Sequence, residues 1–463
     1  MALLPRFLVL NSSWNDRYLS LMKDVPAGFL KSDGKQVVSP QAKFEMEIAE
    51  TGNGLVHIRC CYNNRYWVAN EIAGDDTLWI VASAEKREED RSKTSCTLFE
   101  PIFEGEKQVR FRHVRLQKFA SLWKSNTTGP FLNALYLGAG DVFKVVDWEA
   151  LVILPSRVTF KSEENGNYLC SRWIEGYPYQ MFESNLNVGD PLVAKELFVT
   201  AEGNLRIKDG HYAKFWRRSP NWIWADAEEN NYSNDTLFWP VKVGDNVIAL
   251  RNLGNNHFCG GLTTEGKTNC LNAQYPAISQ QPRLVVEELV LSRNIYDINF
   301  RLSDSRIYQE QIIEMDTAMA VNDSPDRDST ITLKFSRKDA RVSSWNGSVS
   351  LKLGVKTTIQ VSAIPLIVEG KIELSAEFTG GYQWGETTTV ENIREVSYTV
   401  VVPPLTMMKV SLVASQASCD VPFSYTQRDL LPEGQINTKT MDDGLFTGIN
   451  AYKFDYQSTK MKG

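Results

Sequence analysis

The sequence predicts an all-β chain of three domains, and three observations carry that prediction. Apolar residues recur in short strand-like runs such as Val109-Arg110-Phe111 and Thr330-Ile331-Thr332-Leu333-Lys334-Phe335, while helical spacing is almost absent. The first two-thirds of the chain repeats itself. From about Asn294 the texture changes: Ser, Thr and Val become frequent and the runs lengthen. The expected domains are 1–148, 151–293 and 294–463.

Arg17-Tyr18-Leu19 is echoed by Asn167-Tyr168-Leu169, and Arg65-Tyr66-Trp67 by Lys214-Phe215-Trp216. Leu78-Trp79-Ile80-Val81-Ala82 returns as Asn221-Trp222-Ile223-Trp224-Ala225, and Leu132-Asn133-Ala134-Leu135-Tyr136 as Leu271-Asn272-Ala273-Gln274-Tyr275. This is a tandem duplication. Inside each copy a shorter unit recurs, marked by Tyr18, Tyr66 and Phe119 and then by Tyr168, Phe215 and Phe258. Three all-β units of roughly 40–50 residues per copy predict a β-trefoil, closed by pseudo-threefold symmetry.

In the third segment Val349, Leu351, Leu353, Val355, Thr357, Ile359, Val361 and Ala363 alternate with polar residues. Strict alternation gives a strand with one apolar and one polar face. Beyond Ile364-Pro365-Leu366-Ile367 the phase flips, so that Ile372, Leu374, Ala376 and Phe378 are apolar. A reversal at Pro365-Leu366 sorts both faces at once: Ile359 opposes Ile372, Val355 opposes Ala376 and Leu353 opposes Phe378. Each arm exceeds the ~10 residues a tilted strand needs to cross a bilayer. Two readings follow: a long hairpin packing one face on a core, or a membrane-inserting hairpin. In the second, Val349, Leu351, Leu353, Val355, Ile359, Val361, Ile372, Leu374, Ala376 and Phe378 meet lipid. Lys352, Lys356, Glu369, Lys371, Glu373 and Glu377 then line the lumen.

The net charge of −6 over 463 residues leaves no nucleic-acid footprint. No basic-then-apolar leader and no run of ~18 apolar residues is present, so a soluble, cytoplasmic protein is expected. The seven cysteines are scattered without metal spacing, and reduced thiols are expected. The four histidines stand outside any nucleophile, zinc or phosphate-loop motif, so neither an enzyme, a metal nor a cofactor is expected.

The 17 Tyr, 21 Phe and 12 Trp could supply cores or sugar stacking. A sugar site needs a flat aromatic face for the C–H side of the ring and amides or carboxylates for its hydroxyls. Asn63, Asn64, Tyr66, Trp67 and Asp75 bring both kinds together, as do Trp216 and Trp222 with their neighbours. The same residues also read as core tryptophans with solvated asparagines in turns.

The doubled repeat, with its Tyr-Trp and Leu-Asn-Ala-x-Tyr pattern and no Gln-x-Trp triplet, resembles the amaranthin family of plant agglutinins over about residues 1–293. That resemblance implies binding of N-acetylgalactosamine (GalNAc) and Galβ1-3GalNAc between protomers of a head-to-tail homodimer. It points to Asn64, Tyr66, Trp67 and Trp216 as contacts. The remainder resembles the aerolysin and epsilon-toxin pore-forming family in strand order and in its hairpin tip, Ala363 to Gly370. That second resemblance implies a homo-oligomeric ring on membranes, with hairpins closing into one barrel, and a defence role. A non-inserting, dimeric agglutinin with a structural third domain is the alternative.

Overall fold

The computed structural model describes residues 4–461 except 24, 26–27, 73–74, 124–128, 136–139, 350–354, 356 and 377–381, together with the side chains of residues 72 and 75–77. The chain divides into two compact units. One comprises Met1–Ser292 with Ser348–Val355 and Asp429–Asn437; the other comprises Arg293–Gly347, Lys356–Arg428 and Thr438–Gly463.

The first unit holds two β-trefoils of twelve described strands each. In both, the first and last strands pair antiparallel and close a barrel. Leu8 to Ser12 run against Asp147 to Phe143, and Val158 to Ser162 against Glu288 to Leu284. Three hairpins cap each barrel and bridge one another: Asn133 opposes Trp79 in the first copy, and Trp222 opposes Asn272 in the second.

Period-two alternation sends every second side chain inward, and the inward set is the core. Leu8, Leu10, Phe44, Ile58, Phe99, Phe111, Leu132 and Phe143 surround Trp67 in the first trefoil; Val158, Phe160, Ile207, Phe238, Leu250 and Leu271 surround Trp216 in the second. A separate cluster lies in each cap, built on Trp79 in the first and on Trp222 and Tyr179 in the second. The two trefoils join through Val9, Tyr18, Val37 and Leu151, with Trp239 against them. There the Val37 amide donates to the Ala201 carbonyl at 2.9 Å.

The second unit is built on long strands. Ser329–Asn346 and Thr387–Val402 form a hairpin ladder, from Ser329 opposite Val402 to Ser344 opposite Thr387. Arg306–Asn322 pairs with Thr406–Leu430. One core gathers Trp345, Phe423, Phe446 and Tyr452; a second gathers Phe335, Val400, Val402, Val410 and Leu412.

The turn predicted at Pro365-Leu366 lies elsewhere. Ile364–Val368 pairs with Lys371–Ser375, Val368 opposite Lys371 and Ile367 opposite Ile372, around a two-residue turn at Glu369-Gly370. Both turn residues have positive φ, 50° and 80°, as a type I′ hairpin turn requires, and Gly370 takes the larger value without a Cβ. Pro365 is a buried strand residue here. Ile359, expected opposite Ile372, instead opposes Tyr382 and runs parallel to Ile295.

Candidate functional site

The aromatic residues singled out in the trefoils are structural. Trp67 and Trp216 are both fully buried. Trp67 makes edge contacts with Phe44, Phe99 and Phe111 at 5.3–6.1 Å, leaving no ring face for a sugar. Asn63 spends its amide on the turn: it donates to the Ala82 carbonyl at 2.9 Å and accepts from the Arg65 amide at 3.2 Å. Asn64 bonds the Arg59 guanidinium, and the Tyr66 hydroxyl donates to Glu47 at 2.9 Å. Trp222 is buried, with its indole N–H 3.4 Å from Glu265. The Asp75 side chain lies outside the described residues. Aromatic density in the sequence marked the centre of each trefoil; it carried no information on which ring faces water.

The rings that do face water are different ones. Trp14, Trp123, Trp173, Tyr177 and Tyr232 are exposed. In the cap of the second trefoil Tyr177 lies flat on Trp224, centroids 4.1 Å apart and planes at 12°, with Tyr179 edge-on at 5.6 Å. Beside them Arg217 donates to Asp226 at 3.0 and 2.6 Å.

In the second unit the tip of the amphipathic hairpin, Ile364–Val368 with Lys371–Ser375, folds back with one arm inward. Ile364 to Ile367 are buried against Trp345 and its neighbours, whereas the outer arm is largely open to solvent. Of the residues predicted to meet lipid, Ile359 is buried; Val355, Val361 and Ile372 are half-buried; Val349, Leu374 and Ala376 are exposed. Glu369, Lys371 and Glu373 of the predicted lumen set are exposed. Leu351, Lys352, Leu353, Lys356, Glu377 and Phe378 lie outside the described residues.

Asn450, itself buried, holds the tip. Its Oδ1 accepts from the Ile367 amide at 3.0 Å and its Nδ2 donates to the Ile367 carbonyl at 2.9 Å, as a neighbouring strand would. Asn450→Leu leaves both backbone groups buried and unpaired, which costs on the order of 1–3 kcal/mol each. Cleavage at the Glu369-Gly370 turn under limited proteolysis should accelerate by roughly tenfold or more. An unchanged rate would show that Asn450 does not hold the hairpin down.

His57 has partners that no motif announced. Its Nε2 stands 3.1 Å from Glu89 and its Nδ1 2.8 Å from the Thr97 hydroxyl. Both His57 and Thr97 are fully buried, so this chain of groups ties a loop to a strand. Burial alone would raise the Glu89 carboxyl. Bonds from His57, Thr51 and Glu50 outweigh it and hold the group at about 2. The folded value lies below the unfolded one, so the stability is present above pH ~4.5 and is lost as pH falls toward 2. Urea melts between pH 5 and 2 should show that slope in the parent and a shallower one in Glu89→Gln. Equal slopes would remove Glu89 from acid sensitivity. Burial also pushes the Cys60 thiol up to about 12, far from a thiolate nucleophile. Among the described residues no three His, Cys, Asp or Glu stand together to hold a metal.

The family model of the agglutinin domain matches the chain twice, over residues 2–147 and 152–289. No curated protein matches the chain. Among solved structures it is similar to a lamprey immune protein, at 13% identity and a TM-score of 0.31, covering 67% of this chain and 100% of that one. It is also similar to a mosquitocidal holotoxin, at 10% identity and a TM-score of 0.28, covering 65% and 36%. An aerolysin-like protein of Bombina maxima matches at 11% identity and a TM-score of 0.25, covering 36% and 99%.

Proposed function

The chain belongs to the agglutinin-domain family, and on that premise we propose a lectin that recognises GalNAc-type glycans and inserts its third-domain hairpin into the membrane bearing them, as a homo-oligomer. Trefoils supply recognition; the third domain supplies the inserting strands. Six of the cysteines, Cys60, Cys96, Cys170, Cys259, Cys270 and Cys419, are buried thiols, which fits a reducing compartment such as the cytoplasm.

The observation that carries the insertion reading is one of register. In the ladder of the second unit the paired residue numbers fall by one on one strand as they rise by one on the other, ending with Ser344 opposite Thr387. Continued without a slip, the same ladder sets Val355 opposite Ala376, Thr357 opposite Leu374 and Ile359 opposite Ile372. Its reversal then falls at Pro365-Leu366, the turn that the alternation alone predicts. The stowed tip, with Ile367 opposite Ile372, is in a different register. The two registers differ by an even step, so both keep every side chain on its own face. Zipping the ladder outward therefore yields a longer hairpin with a continuous apolar face, and a closed ring of such hairpins leaves no unpaired backbone group in hydrocarbon.

The experiment is release of a trapped dye from liposomes carrying a GalNAc-terminated glycolipid, beside liposomes without it. Leakage confined to the glycolipid vesicles is the expected result. Binding without leakage would leave a non-inserting agglutinin, and absence of binding to any GalNAc glycan would overturn the specificity.

A further inference from the structure

The duplication supplies an internal control, because two copies of one fold show which residues the fold itself needs. The second cap hairpin has the same register in both copies. Trp67 opposes Ala82, Val68 opposes Val81 and Asn70 opposes Trp79; correspondingly Trp216 opposes Ala225, Arg217 opposes Trp224 and Ser219 opposes Trp222. Each copy places an irregularity just before its core tryptophan. The core Trp, the cap Trp and the Asn facing the cap Trp are shared. The pair between them, Val68–Val81 in the first copy, is not shared.

Val68 and Val81 are buried in the first copy and close its cap against Phe29, so a pair of valines suffices for the fold. The second copy sets Arg217 and Trp224 at those positions, and Tyr179 opposes Trp224 as Phe29 opposes Val81. The exchange is only partly one of packing, for Trp224 rests on the cap cluster of Tyr179, Trp222 and Cys270. It places a charged group and a large ring where the cap needs neither.

We propose that the cap of the second trefoil is a saccharide-stacking platform formed by Tyr177, Trp224, Arg217 and Asp226. Tyr177 is fixed with one ring face on Trp224 and is 46% exposed, so an aromatic surface is held ready without rotamer loss on binding. The Arg217–Asp226 pair stands at its rim, the guanidinium 5.8 Å from the Trp224 ring, with both side chains about 30% exposed. A sugar presents a flat C–H face and a rim of hydroxyls that both donate and accept. A ring beside a fixed donor–acceptor pair matches those needs. Because Asp226 neutralises Arg217, the platform suits a neutral saccharide over an anionic one. An apolar protein partner would make no use of the pair. Trp222, the contact that the sequence suggested, lies in the layer beneath.

This site rests on the lectin reading, and the test separates the two. The full chain is applied to an array of neutral and anionic glycans, and the best neutral saccharide is titrated by calorimetry. Arg217→Val with Trp224→Val gives the second cap its sister's residues. This double variant should stay folded and lose about tenfold or more in affinity. Tyr177→Ala, at an exposed position, should do the same and decides the matter if the double variant fails to fold. A parent that binds saccharide while the variants bind equally well overturns the platform alone. A parent that binds no saccharide overturns the lectin reading, and the platform with it. Retained saccharide affinity together with loss of a protein partner would make the patch a protein-docking surface and also overturn the proposal.

Discussion

A disulfide between Val368→Cys and Lys371→Cys should abolish dye release from glycan-bearing liposomes, and a reductant should restore it. The two residues face each other across the Glu369-Gly370 turn and both are exposed, so neither replacement disturbs the stowed fold. Opposed Cα atoms in an antiparallel pair lie about 4.5–5.5 Å apart, within disulfide reach. In the continued ladder the turn moves to Pro365-Leu366, and both residues fall on one arm. Three steps along a strand separate them by about 10 Å, which no disulfide spans. The bridge is therefore compatible with the stowed register and incompatible with the extended one. If the oxidised protein leaks dye as the reduced protein does, the hairpin inserts without changing register or does not insert.

The second large effect is expected at Leu374→Arg. Leu374 is 46% exposed in the stowed hairpin, so the charge stays hydrated and the soluble protein should fold and bind sugar as before. In a barrel the same position faces lipid near mid-strand, where an arginine costs roughly 2–4 kcal/mol. The cost recurs in every protomer of a ring, and dye release should vanish. Glu373→Lys, one residue away on the lumen face, should leave release intact and change the ion selectivity. Unimpaired leakage by the Leu374→Arg protein would take this strand out of the membrane.

The sequence made some of this legible and hid the rest for identifiable reasons. The duplication could be read because the core Trp, the cap Trp and the Leu-Asn-Ala segment return in order. Their surroundings could not. Trp67 reads as a sugar contact because Tyr, Asn and Arg crowd around it in sequence, yet those polar groups are taken up within the fold: Asn63 on Ala82, Asn64 on Arg59, Tyr66 on Glu47. The informative signal was a difference between the copies, Val68 and Val81 against Arg217 and Trp224, which acquires meaning only once the two hairpins are in register. His57 likewise meets Glu89 across 32 positions of chain, beyond the range of any local motif.

The hairpin marks the boundary most clearly. By itself the sequence predicted which residues between Val349 and Phe378 share a face, because strand side chains alternate with a period of two. It could not determine the register. A shift by an even number of residues leaves both faces intact, so alternation is blind to it. The tertiary structure decided that question for the stowed state: a hydrophobic core takes Ile364 to Ile367, Asn450 supplies the missing backbone partner, and Glu369-Gly370 adopts the positive φ values that a two-residue turn demands.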